Sequence, residues 1–144
     1  MGRLTTAALS VVLSLVVISA AAGATKARCA TGSVKGIAWV TGGPKGVGSL
    51  TGKWSSAATL FGYRWNCSGG AVSVRKPDTL PEGFDVAFAG NPGRVAIANA
   101  AGGPAAASVT RNVDGSFHVS IAGQTSSGGG FNPRVDLPFM LIVF

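Results

Sequence analysis

Phe61-Gly62-Tyr63-Arg64-Trp65-Asn66-Cys67-Ser68-Gly69-Gly70 is the stretch that decides the fold class. Phe61, Tyr63, Trp65 and Cys67 recur at every second position, with Leu60, Gly62, Arg64 and Asn66 between them. A period of two is the pattern of a β-strand, because successive side chains leave opposite faces of the chain. The glycines of Ser68-Gly69-Gly70 permit positive φ, so a tight hairpin into Val72 and Val74 is predicted. A bonded Cys67 belongs to a buried face, which predicts Tyr63 and Trp65 inward with it and Arg64 and Asn66 outward.

The same alternation recurs downstream. Phe84, Val86 and Phe88 alternate with Asp85, Ala87 and Ala89, and Asn91-Pro92-Gly93 predicts a turn before Val95 and Ile97. Asp114-Gly115 is a strong hairpin signal, joining Ala107, Val109 and Arg111 to Phe117, Val119 and Ile121, whose other face is Ser116, His118 and Ser120. Phe139 to Phe144 is apolar at both parities, which predicts a strand buried on both faces, with Pro138 at its start. With Val34–Thr41 and Val47–Trp54 added, about nine short strands are predicted, punctuated by Gly, Pro, Asn and Asp. Such a pattern folds as an antiparallel β-sandwich or a small closed barrel. The glycine-rich stretches Gly42–Gly48 and Gln124–Gly130 are predicted loops.

The N-terminus differs from all of this. Arg3, an apolar run from Ala7 to Ile18 and small residues from Ser19 to Ala24 form the three regions of a secretory signal peptide, with Ala22-Gly23-Ala24 as the cleavage site. The apolar run holds about twelve residues, short of the roughly 20 that span a bilayer, so no transmembrane anchor is expected. Residues 1–24 are thus assigned as a leader and 25–144 as one all-β domain, secreted to the extracellular side. In that oxidising compartment the only two cysteines, Cys29 and Cys67, are expected to pair. A zinc site would need about four ligands where Cys29, Cys67 and His118 supply three without local spacing, so no metal and no cofactor is predicted.

Charge is divided unevenly along the chain. From Thr25 to Lys76 there are eight basic residues and no acidic one, and from Pro77 onward three basic and five acidic. All three tryptophans and the single tyrosine lie in the basic half. Cations interleaved with aromatics suit an anionic polymer such as nucleic acid or a cell-wall glycopolymer, or a phospholipid surface. Lys35, Lys45 and Lys53 stand in or beside predicted turns, Trp54 at a loop edge, and Arg64 on the outward face of its strand, so these five are the candidate ligand-binding residues. Signals for catalysis are weak. None of the five acidic residues pairs with another on a strand face, Gly52-Lys53 is followed by Trp54 where a phosphate loop needs Ser or Thr, and no G-x-S-x-G occurs.

Through Phe84-Asp85-Val86-Ala87-Phe88, Ser116-Phe117-His118-Val119 and the closing Asp136-Leu137-Pro138-Phe139 strand, the C-terminal half resembles small exported proteins of actinobacteria. The resemblance implies an exported all-β protein and transfers no activity. The leading expectation is a secreted, non-catalytic binding or cell-surface module whose basic half engages an anionic polymer. The alternatives are a secreted inhibitor or toxin-like protein acting on another protein, and a small secreted hydrolase using His118.

Overall fold

The computed structural model describes residues 29–30, 32–78, 82–91, 93–102, 104–124, 131–132 and 136–144. The leader at 1–24, Lys26 and Arg28 lie outside the described residues, as does most of the predicted loop Gln124–Gly130.

Two antiparallel sheets form the domain. The strands are β1 (Gly36–Val40), β2 (Phe61–Asn66), β3 (Val72–Arg75), β4 (Phe84–Phe88), β5 (Ala96–Ala100), β6 (Ala105–Arg111), β7 (Phe117–Gln124), β8 (Phe131–Asn132) and β9 (Phe139–Val143). One sheet runs β2-β1-β9-β5 and the other β3-β4-β7-β6, with the two-residue β8 paired to the end of β7. The core between them is built from alternate residues of each strand: Ala38 and Val40, Phe139, Leu141 and Val143 from the first sheet, and Val74, Phe84, Val86, Phe117 and Val119 from the second. The Phe84 and Phe139 rings meet across the sandwich with centroids 5.3 Å apart.

The predicted hairpin at Asp114-Gly115 is present, with Gly115 at φ 86° and Ala107, Val109 and Arg111 facing Ile121, Val119 and Phe117. Cys29 and Cys67 are joined, with Cα atoms 5.1 Å apart. Closing a loop of this size removes about 4 kcal/mol of unfolded-chain entropy in the ideal case.

Three expectations need correction, and the facing of a fourth segment becomes definite. Val47–Trp54 is not a strand: Val47–Ser49 is a 3-10 turn, and the segment after it meets the β3 side through the isolated bridge of Ser55 to Val74 and the Lys76 N–H donated to the Thr51 carbonyl. Gly46 at φ 73° starts that turn, a backbone state that no regular strand accommodates. Ser68-Gly69-Gly70 does turn tightly, with Gly69 at φ 76°, yet it carries the chain from one sheet to the other and not back along the same one. In the segment after Asn91, the core positions belong to Ala96, Ala98 and Ala100, while Val95 and Ile97 are 63% and 56% exposed. Finally, β9 is a central strand but is buried on one face only, leaving Met140 39% exposed.

Candidate functional site

The face of β2 is the main departure from the sequence pattern. Trp39 is opposite Tyr63, but Val40 is opposite Phe61, so Gly62 is an extra residue in the ladder. A bulge of this kind reverses the parity of everything beyond it. Phe61 therefore points into the core at 9% exposure while Tyr63 points out at 52%. Trp65 shares the outer face with Tyr63, and Arg64 and Asn66 fall on the register of core-facing Ala38 and Gly36. Tyr63 and Trp65, predicted inward, thus stand on the outer face, and Asn66, predicted outward, is buried, while Arg64 is on the core-side register yet stays exposed at the sheet edge. Cys67 is still buried because the chain has left the strand by then and is anchored by its N–H to the Lys35 carbonyl at 2.9 Å. A side chain at 62 would sit 3.0 Å from the Trp39 indole, so Gly62→Val should displace that ring. A shift in tryptophan emission with little change in far-ultraviolet circular dichroism would report it.

As a result, the outer face of the β2-β1-β9-β5 sheet is apolar and uncharged. Trp65, Ile37, Ile142 and Ile97 form one row across the four strands, and Tyr63, Trp39, Met140 and Asn99 the next. No ionisable group other than the Tyr63 phenol stands on these eight positions.

The five candidate ligand residues are not gathered at one point. Lys35 precedes β1 and Lys45 follows it in the 3-10 turn Gly43–Lys45, so they stand beyond opposite ends of a strand about 17 Å long. Lys53 and Trp54 lie in the segment that covers the open side between β2 and β3, where Ser55 bridges Val74. Arg64 belongs to the same side, but its guanidinium holds the segment in place: Nη1 donates to the Ser56 and Val72 carbonyls and the group lies 5.2 Å from the centre of the Phe61 ring. One face of Trp54 is occupied by Arg75, 4.5 Å from the ring centre. Beside them opens a shallow cleft of about 410 Å³, lined by Ser56, Arg64, Trp65, Asn66 and the turn Gly69–Val72.

The uneven charge along the sequence is partly neutralised in space. Arg75 is paired with Asp85 at 2.8 Å and Lys76 with Asp136 at 2.7 Å. Lys35, Lys45 and Lys53 have no acidic partner among the described residues.

A polar cluster that the sequence did not nominate lies across the other sheet. Arg75, Asp85 and His118 are in register on β3, β4 and β7. Asp85, 3% exposed, accepts from Arg75 Nε at 2.9 Å and from Asn112 Nδ2 at 3.3 Å, and is 2.8 Å from His118 Nδ1. Gly83 packs against the His118 ring so closely that a Cβ there would be 2.8 Å from Nε2. Asp–His is the orienting half of a nucleophilic site, yet the serine hydroxyls on this face point elsewhere: Ser120 donates to the Glu82 carbonyl and Ser116 to Asp114. His118 Nε2 is buried with no hydrogen-bond partner among the described residues. Asp114, accepting from the Ser116 hydroxyl and then from the Ser116 N–H, has its pKa lowered from 3.8. Any stability it lends the hairpin turn is therefore present above the ordinary carboxylate range and is lost as pH falls through the lowered value.

The sequence signal for this cluster is the matched Phe-Asp-Val and Phe-His-Val triplets at 84–86 and 117–119, since pairing two such strands sets the polar centres side by side. No group of three or more metal-ligating side chains is present among the described residues, and no helix there is long and apolar enough to cross a membrane. Comparison with protein-family models, curated proteins and solved structures finds no match to this chain.

Proposed function

We propose that this chain is an exported, non-catalytic β-sandwich binding module of the cell surface, and that Lys35, Lys45 and Lys53 engage an anionic polymer. The observation that carries this reading is the pattern of ion pairing. Arg75 and Lys76 are matched by carboxylates brought from the C-terminal half, whereas the three lysines have no such partner among the described residues. Cations spread over the length of a strand suit a ligand that is itself extended, because each contact releases counterions wherever along the polymer it is made. Trp54 retains 39% exposure beside Lys53 and adds a ring for stacking where the ligand carries planar groups.

The reading predicts binding that weakens steeply with salt. Affinity for nucleic acid and for an anionic glycopolymer should fall by at least tenfold between about 50 and 200 mM salt, following three released counterions. Changing Lys35, Lys45 and Lys53 together to Gln should remove most of the affinity and flatten the salt slope. Equal binding by the triple variant, or indifference to salt, would leave a protein partner as the better reading.

A further inference from the structure

We propose that the outer face of the β2-β1-β9-β5 sheet is a membrane-contact surface that lies flat on an anionic phospholipid bilayer. The proposal deepens the reading above, on which it rests only for the sign of the partner's charge. Its own foundation is the apolar face exposed by the Gly62 bulge and by the one-sided burial of β9.

Four large side chains on that face are exposed together: Trp39 41%, Tyr63 52%, Ile97 56% and Met140 39%. They are neighbours on adjacent strands, so they form one patch. A soluble polyanion would gain nothing from Ile97, Met140 or Ile142, which offer neither charge nor a π-face. The boundary between headgroups and acyl chains accepts all of them, and it favours Trp and Tyr, whose rings are apolar and whose N–H and O–H reach water.

Charge at the rim fixes the lipid class. Lys35 and Lys45 stand beyond the two ends of β1, the strand that carries Trp39, and Arg94 directly precedes Val95 and β5. No acidic side chain lies on the face. Asp85 is held in the opposite sheet and Asp136 is taken up by Lys76. Apolar residues that enter the interface with lysines around them are drawn to bilayers with a negative surface.

A second copy of the chain is a poorer occupant. Four strands spaced about 4.8 Å apart and five residues long at about 3.3 Å each give a footprint of roughly 300 Å²; side-chain relief enlarges its accessible area, which still lies at the small end for a protein pair burying about 800 Å² on each side. A bilayer accommodates a face of this size, because partitioning scales with the apolar area that enters the interface.

The test is co-sedimentation of the disulfide-bonded protein lacking residues 1–24 with vesicles of phosphatidylcholine alone and of phosphatidylcholine with 30% phosphatidylglycerol, with tryptophan emission recorded in parallel. Expected results are pelleting with the anionic vesicles, a blue shift of the emission, and at least a tenfold loss of partitioning for Trp39→Ser with Tyr63→Ser. Ile97→Asn, at an exposed position on β5 two strands from Trp39, should also weaken partitioning while leaving the circular dichroism and melting temperature of the wild type. Failure to pellet with anionic vesicles would overturn the proposal, as would pelleting that neither face variant reduces, or a concentration-dependent dimer in which Ile97→Asn abolishes association. Binding to soluble polyanion without binding to vesicles would sink the membrane surface and leave the polymer reading standing. Vesicle binding lost in the face variants, with no binding to any soluble polyanion, would do the reverse.

Discussion

Asp85→Ala should destabilise the protein by about 3–5 kcal/mol, the cost of removing one partner from a buried ion pair, and this is one of the two largest single-residue effects anticipated. Only 3% of Asp85 is exposed, so water cannot replace what the carboxylate provides. Its Oδ2 accepts from Arg75 Nε at 2.9 Å and is 2.8 Å from Nη2, and its Oδ1 is 2.8 Å from His118 Nδ1. After truncation, the imidazole loses the partner that orients it while Nε2 remains without one, and the guanidinium loses its counter-ion. Arg75 has 29% side-chain exposure and can be re-solvated in part, so Arg75→Gln should cost less than Asp85→Ala. Against a total stability of about 5–15 kcal/mol, the Asp85 variant should lose a large share of its stability, with a clearly lowered urea midpoint. Urea denaturation of wild type, Asp85→Ala and Arg75→Gln measures the ranking. A loss below about 1 kcal/mol for Asp85→Ala, within the range of exposed pairs, would mean that the carboxylate is solvated and the cluster is not structural.

Much of the fold was legible because alternation in half-buried strands is a direct consequence of backbone geometry. The pairing of Ala107 with Ile121 and of Val109 with Val119 follows it, as do Phe84, Val86 and Phe88, although Asp85 between them is buried as well. What alternation cannot reveal is a change of parity, and Gly62 supplies one. Before the bulge Phe61 obeys the pattern, and after it Tyr63 and Trp65 stand on the opposite side from where strict alternation places them. Glycine has no side chain to signal that the count has slipped, and Cys67 supports the wrong face because it is buried outside the strand. The apolar double face of Phe139 to Phe144 is ambiguous for a related reason: a strand covered on both sides and a strand with an apolar face turned to solvent have the same composition. The candidate site was less legible than the fold. Lys35, Lys45 and Lys53 emerged from charge counting, but the pairing of Arg75 and Lys76 with carboxylates distant in sequence depends on strand order, as does the approach of Asp85 to His118.

Phe139→Ala should cost about 3–5 kcal/mol, the usual range for truncating a buried phenylalanine, and it tests the sandwich itself. Phe139 opens β9, the strand that β1 and β5 both pair with, and its ring is fully buried against Phe84 from the opposite sheet at a centroid separation of 5.3 Å. Truncation removes the transfer free energy of the ring and leaves a cavity bounded by Val40 and Ala100 on the neighbouring strands and by Phe84 across the core. Strand backbones held on both sides by hydrogen bonds cannot collapse into that space, which places the cost toward the upper end of the range. The ring pair should add its own signature: in a double-mutant cycle with Phe84→Leu and Phe139→Leu, a coupling of about 0.5–1.5 kcal/mol is expected for a tilted aromatic contact. A coupling indistinguishable from zero would mean that the two sheets do not meet through these rings. Because Phe139 points inward and its neighbour Met140 outward, Met140→Ser in the same denaturation series should cost far less than Phe139→Ala. Equal losses at both positions would show that the outer face is buried in solution, and would remove the exposed surface on which bilayer contact depends.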